Sequence, residues 1–164
     1  MPEKTIREKN IHASCVAIGR RGVLLLGPSG SGKSDLALRL IDGGAKGDTR
    51  LVADDRTILF LAKGALCAKA PPSIKGLLEV RGVGIVKLPV LAQVKIALVV
   101  VLGREGARLP QPRLWRAPHT ISLGPDTLPP QIALDAFCAS TPAKIRMALA
   151  AGARGLFRDT FITK

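Results

Sequence analysis

The sequence predicts a single α/β domain in which a mainly β core is flanked by helices. Three observations lead there. Apolar stretches come in pairs joined by tight turns, one glycine-rich loop lies between a strand and a helix, and only two segments carry convincing helical patterns. A regularly alternating, doubly wound sheet would need more helices. One domain over residues 1–164 is expected, with the first ten flexible, since a chain of this length buries one core without disulfides or structural metal.

Taken in order, Ser14 to Ile18 and Val23 to Leu26 are apolar stretches divided by Gly19-Arg20-Arg21-Gly22, which predicts a hairpin with His12 at the edge of its first strand. The second strand runs into GPSGSGKS at 27–34 and then DLALRLI, where Leu36, Leu40 and Ile41 share a helical face ended by Gly43-Gly44. Leu51 to Ala53 forms a short strand closed by Asp54 and Asp55. Thr57 to Ala62 and Ala65 to Ala68 form a second hairpin about Lys63-Gly64, and Pro71-Pro72 breaks regular structure. IKGLLEVRGVGIV, with three glycines in nine residues, reads as a loop that approaches something closely. Val94 to Leu102, apolar on both faces, is expected to be the longest and a central strand. Arg104 to Pro118 turns rich in Arg and Pro and is expected to be a mobile loop. Ser140-Thr141-Pro142 starts a last helix that should end at Gly152.

Composition narrows the function classes. Apolar residues make up 47% and charged ones 23%, which excludes a disordered or collagen-like chain. The longest apolar run, Ile96 to Leu102, falls far short of the roughly 20 residues of a membrane span. MPEKTIREKN mixes acids with bases and lacks the apolar stretch of a secretory signal, so a cytoplasmic location is expected. Cys15, Cys67 and Cys138 are far apart, which suggests neither a disulfide framework nor a zinc site. The net charge of +13 raises nucleic acid as a partner, but the 25 Lys and Arg are scattered and aromatic residues amount to 3%. Solvated surface charge is the plain reading of that excess, and an acidic protein partner the alternative.

GPSGSGKS matches G-x-x-x-x-G-K-[ST] at every defined position, and average residue usage puts an accidental match in such a chain at under about 1%. In this pattern glycines let backbone N–H groups converge on phosphate oxygens and the helix start adds its positive dipole end. Lys33 reaches the β and γ phosphates and Ser34 ligates Mg²⁺. The binding set is therefore Gly27, Pro28, Ser29, Gly30, Ser31, Gly32, Lys33 and Ser34. Asp54 and Asp55 sit where such proteins place the acid serving Mg²⁺ or the attacking group. Being adjacent they repel, so one is suited to accept a hydroxyl proton while the other stays ionised near the metal. Read alone, Glu79 is half of a surface ion pair with Arg81, and His119 has no supporting context.

Together, His12, GPSGSGKS, LVADDR at 51–56 and LLEVRGVGI at 77–85 resemble the catalytic domain of HPr kinase/phosphorylase, a family that phosphorylates a serine of the phosphocarrier protein HPr. The resemblance covers roughly Ile11 to Leu102, and STPAKIRMAL at 140–149 is similar to short forms of the family made of the catalytic domain alone. It implies a P-loop fold similar to the nucleotide domain of phosphoenolpyruvate carboxykinase, ATP as donor, and Mg²⁺ held by Ser34 and Glu79 with Asp54 on the metal side. It also implies His12 near the phosphates, Asp55 as the group that takes the serine proton, and an arginine best matched by Arg108, with Arg104 as fallback. HPr is the implied partner, a homo-oligomer is left open, and no nucleic-acid or membrane partner is expected. The family's reverse reaction, in which inorganic phosphate attacks phosphoserine to give pyrophosphate, uses a basic loop whose best counterpart, LGPDTLPPQ at 123–131, has no Arg or Lys. Kinase activity is thus the firmer expectation. A small-molecule P-loop kinase, or a nucleotide-binding regulator without turnover, would share the loop but not the full set of motifs.

Overall fold

The computed structural model describes residues 8–153 except 105, 111–112, 119–120, 122–123 and 125–126. Strand β1 (Lys9–Ile18) turns through Gly19, whose φ of 62° favours glycine, into β2 (Arg21–Leu26). Helix α1 (Lys33–Asp42) follows the glycine loop, and the Gly43 N–H closes it onto the Arg39 carbonyl at 2.9 Å. Next come β3 (Thr49–Ala53), β4 (Arg56–Ala62) and β5 (Ala65–Lys69), then a 3₁₀ turn at Pro72–Ile74. The chain continues through β6 (Leu77–Val80), β7 (Gly84–Lys87), β8 (Gln93–Val101), β9 (Gln131–Ala133) and α2 (Thr141–Ala153).

Among the described residues seven strands form one sheet. The pairings β2-β1-β4-β5-β8 close into a ring because β8 also pairs with β2, in parallel; β9 adds to β8 in parallel and β3 pairs with β1. Closure gives each ring strand two buried faces. Small residues point inward on β1, where Ala13, Cys15 and Ala17 join Leu24, Leu59, Leu66 and Val99 in an inner core. The alternate residues Val16, Ile18, Val23 and Leu25 face an outer core with Leu36 and Leu40 of α1 and Ile145 of α2. A register shift against β2 at Ala97 reverses the phase of β8: Val94 and Ile96 belong to the inner core, Leu98 and Val100 to the outer. Burial in the inner core pushes the Cys15 thiol well above its ordinary pKa. Arg146 pins α2 to the end of α1, donating to the Leu40 carbonyl at 2.6 Å, Thr49 Oγ1 at 3.1 Å and Asp48 at 3.2 Å.

The α/β architecture of many strands and two helices agrees with the expectation; several details differ. Lys9 and Asn10 are not a flexible lead but pair with Leu59 and Ile58, their polar side chains lying on the exposed end of β1. With ten residues β1 exceeds β8 by one. The segment read as a glycine-rich loop is a hairpin, β6–β7, whose Leu78 is buried in the outer core; Gly82 and Gly84 serve its turn, with φ of 85° and 124°. Gly152 lies inside α2 rather than after it. Strand β9 escaped the pattern because it is three residues long and follows Pro129-Pro130. The stretch read as a mobile loop is partly packed: Leu114 bridges Pro130, and Trp115 and Ala117 lie against the inner core. His119, with Leu123, Pro125 and Asp126 of the 123–131 segment, lies outside the described residues.

Gly22 marks how tightly β2 and β8 meet. A Cβ there would come within 2.7 Å of Val94 Cγ1 and 2.8 Å of the Lys95 carbonyl, which is backbone and cannot swing away. Gly22→Ala should cost about 1–3 kcal/mol, read as a lowered urea midpoint. An unchanged midpoint would mean that the strands can part here freely.

Candidate active site

The site gathers where β2 ends. Gly27, Gly30 and Gly32 have φ of 157°, 80° and 92°, and Gly32 is the N-cap of α1. A side chain at Gly27 would meet Ser31 Oγ at 2.5 Å, and one at Gly32 would meet Ala136 Cβ at 2.9 Å and the Phe137 ring at 3.2 Å. The backbone is therefore held in a curl that only glycine fits, leaving the first N–H groups of α1 without intrahelical acceptors. Lys33 is 6% exposed, and its Nζ donates to the Gly27 carbonyl at 2.7 Å and the Pro28 carbonyl at 2.9 Å. Burial lowers its pKa, against the opposing pull of Asp55 and then Asp54. Ser31 Oγ is buried with no hydrogen-bond partner among the described residues.

Across from the loop, β3 ends at Ala53 and β4 begins at Arg56, so Asp54 and Asp55 form a two-residue corner. They face opposite environments. Asp54 is 6% exposed; its Oδ1 accepts from Ser34 Oγ at 2.7 Å and Ser14 Oγ at 2.8 Å, and its Oδ2 accepts from the Glu79 N–H at 3.3 Å. Asp55 has φ of 64°, a left-handed conformation that Asp tolerates better than most residues, and its side chain is 68% exposed. His12 Nε2 lies 3.0 Å from Asp55 Oδ1. An ionised carboxylate only accepts, so Nε2 carries the proton of this bond. His12 and Ser14 stand two apart on β1, on one face of the strand, which lets one element hold both acids.

The structure thus brings together His12, Lys33, Ser34, Asp54 and Asp55. Glu79 joins through its backbone; its side chain is exposed and makes neither the ion pair with Arg81 nor any other among the described residues. Arg108 is exposed in the segment after β8 and makes no hydrogen bond among the described residues. Arg104 instead lines a cleft of about 330 Å³ beside the phosphate loop, together with Ser31 and Phe137. Ser14 was missed because its strand reads as apolar, and no local signal distinguishes a serine aimed at a distant acid from one merely tolerated. Among the described residues no three His, Cys, Asp or Glu side chains form a metal cage. The oxygen donors Ser34 and Asp54 nevertheless suit Mg²⁺, which commonly takes one or two carboxylates and completes its shell with phosphate and water.

Residues 3–104 match the model of the HPr Serine kinase C-terminal domain. The chain belongs to that family. An HPr kinase/phosphorylase of Clostridium acetobutylicum is 39% identical over 121 residues, 66% of this chain and 38% of the relative. One of Clostridium tetani is 41% identical over 91 residues, 56% of this chain and 28% of the relative. The chain thus aligns with less than two-fifths of either relative. The structure of the Hpr(Ser) kinase/phosphatase from Coxiella burnetii superposes with a TM-score of 0.69 at 25% identity, covering 92% of this chain and 99% of that one. Every motif from His12 to Glu79 lies within the family match, whereas β9 and α2 lie beyond it.

Proposed function

We propose that the chain is an ATP-dependent protein serine kinase acting on HPr, with a P-loop domain of the phosphoenolpyruvate carboxykinase kind and a cytoplasmic location. The observation that carries this reading is the split acidic corner: Asp54 is buried and bonded to the loop's own Ser34, while Asp55 faces solvent beside His12. A regulator that only bound nucleotide would have no use for an exposed, oriented carboxylate there. Gly27 and Gly32 leave the loop open to phosphate, Lys33 meets the β and γ phosphates, and Ser34 and Asp54 would hold Mg²⁺, which neutralises phosphate charge when bound.

Asp55 accepts the proton of the acceptor serine hydroxyl as the serine oxygen bonds to the γ phosphorus. The bond from that phosphorus to the β-γ bridging oxygen breaks, and ADP leaves. His12 holds Oδ1 of Asp55, so Oδ2 is the oxygen left to receive the proton. An arginine to stabilise the transferring group comes from the segment after β8. Arg108 is the arginine that the resemblance matches best, and Arg104, which lines the cleft beside the loop, is the alternative. The reverse reaction, phosphorolysis by inorganic phosphate to pyrophosphate, would return the proton from Asp55. The segment 123–131 has no Arg or Lys to bring to it, but the Arg113 carbonyl accepts the Gln131 N–H at 2.9 Å, so Arg113 lies beside the last residue of that segment.

Incubation with Mg²⁺-ATP and HPr should give HPr carrying one phosphate on serine, located by mass spectrometry. ATP binding with no phosphoprotein would support the regulator instead, and phosphate on a small metabolite the other kinase class. With a formal charge of +13, the rate at subsaturating HPr should fall as ionic strength rises, since steering is screened over about 8–10 Å. A rate indifferent to salt would remove the charge from recognition.

A further inference from the structure

Three parallel strands end side by side. Leu26 of β2 pairs with Val101 of β8, and Val101 pairs with Ala133 of β9; beyond them the Leu102 N–H donates to the Leu26 carbonyl at 2.7 Å and the Leu134 N–H to the Val101 carbonyl at 3.1 Å. The loops leaving these ends therefore emerge together at the C-terminal ends of the parallel strands, the end at which both open and closed α/β sheets bind their ligands. All three line the 330 Å³ cleft: the phosphate loop, Gly103-Arg104, and Asp135 to Phe137.

The third loop is built to hold an aromatic ring in place. The Phe137 N–H donates to Asp135 Oδ1 at 2.9 Å, Thr141 Oγ1 donates to the Asp135 carbonyl, and Arg39 of α1 donates to the Ala136 and Cys138 carbonyls. Four hydrogen bonds fix the turn that carries this ring, which is itself 68% exposed and lies against the phosphate loop at Gly32. An exposed aromatic at this cost of ordering calls for a partner, and the cleft offers little to read the edge of one. Asp135 Oδ1 is engaged by the Phe137 N–H, the polar side chains of Ser29, Ser31 and Arg104 lie on the opposite, loop side, and the rest of the lining is apolar or backbone. What the ring offers is a flat face beside a phosphate site.

We infer that Phe137 is the platform on which the base of a bound nucleoside triphosphate stacks, with the cleft between the phosphate loop and residues 135–137 as the nucleoside subsite. The inference rests on the phosphate-loop reading above and adds to it. Residues 135–137 lie outside the span matched by the family model, so the platform, unlike the loop side of the cleft, belongs to the part of this chain that the match does not cover. Ser31 Oγ, buried at the cleft wall without a partner among the described residues, is a hydroxyl available to the same ligand.

Titration calorimetry of the full chain with Mg²⁺-ATP and, separately, with Mg²⁺-tripolyphosphate tests it. Phe137→Ala should weaken ATP about tenfold and leave tripolyphosphate unchanged, and Phe137→Trp should keep the wild-type ATP affinity. Because the ring is exposed and the turn is held through backbone atoms, both variants should keep the wild-type melting temperature. ATP that binds Phe137→Ala as tightly as wild type overturns the subsite while leaving the phosphate loop intact. An equal loss for both ligands also overturns it, since the ring would then be shaping the loop. Failure of the wild type to bind tripolyphosphate, with ATP binding still sensitive to Phe137→Ala, would keep the subsite and remove the phosphate-loop reading.

Discussion

Asp55→Asn should lower phosphate transfer to the serine of HPr by about 10²- to 10⁴-fold while leaving ATP affinity unchanged. The substitution isolates proton acceptance. Asn tolerates the left-handed backbone that Asp55 adopts at φ 64°, and its amide oxygen still accepts from His12 Nε2, so the corner keeps its shape. Only the basicity of the group is lost. Single-turnover rates with Mg²⁺-ATP, set beside calorimetric affinity, separate the two effects. Retention of the full rate by Asp55→Asn would exclude this carboxylate as the base. Loss on Asp54→Asn alone would exchange the roles, though the three hydrogen bonds that Asp54 receives argue for a fixed, metal-side acid.

Lys33→Ala should reduce transfer by at least about 10²- to 10³-fold and weaken both ATP and tripolyphosphate. Its ammonium is already partly stripped of water and bonded to the loop carbonyls of Gly27 and Pro28, so meeting a phosphate needs a short swing rather than a fresh desolvation. The same bonds require a control. Removing the ammonium takes the side-chain donor from the Gly27 carbonyl and leaves the Pro28 carbonyl only the Ser31 N–H, and a melting curve must show that the loss is chemical rather than a collapse of the loop. Transfer at the wild-type rate would mean that this loop does not hold the reacting phosphates.

The phosphate loop and the acidic pair were legible in the sequence because their chemistry is local: each is a run of adjacent residues whose types already state the geometry. Hairpins about Gly19 and Lys63-Gly64 were legible for the same reason, turn chemistry being a property of two to four residues. Ser14 was not, since its meaning depends on Asp54 forty positions away, and Phe137 was not, since its relation to Gly32 exists only once β8 and β9 lie beside β2. The β6–β7 hairpin was read as a loop because its glycines, counted together, resembled a flexible run. In fact Gly82 and Gly84 lie at its turn and Gly76 just before β6, while Leu78 between them carries the burial. The closure of the ring was equally hidden. Strands apolar on both faces announce burial, yet not whether helices or a curled sheet provide it.

One strand carries an unusual share of this molecule. Residues 9–12 of β1 pair with β4, residues 15–18 with β3, and residues 13–18 with β2 on the other side, while His12 and Ser14 of the same strand hold the two acids. Cohesion and chemistry are therefore not separable parts here, as they are when a reactive group rides on a loop above a finished scaffold. A slip of one residue along β1 would turn both holding side chains to the other face. Any excursion that unzips this strand, however brief, disarms the protein before it unfolds it. The fraction of molecules competent at a given moment is bounded by the opening equilibrium of ten residues, and amide hydrogen exchange along β1 would then measure readiness to react as directly as it measures stability.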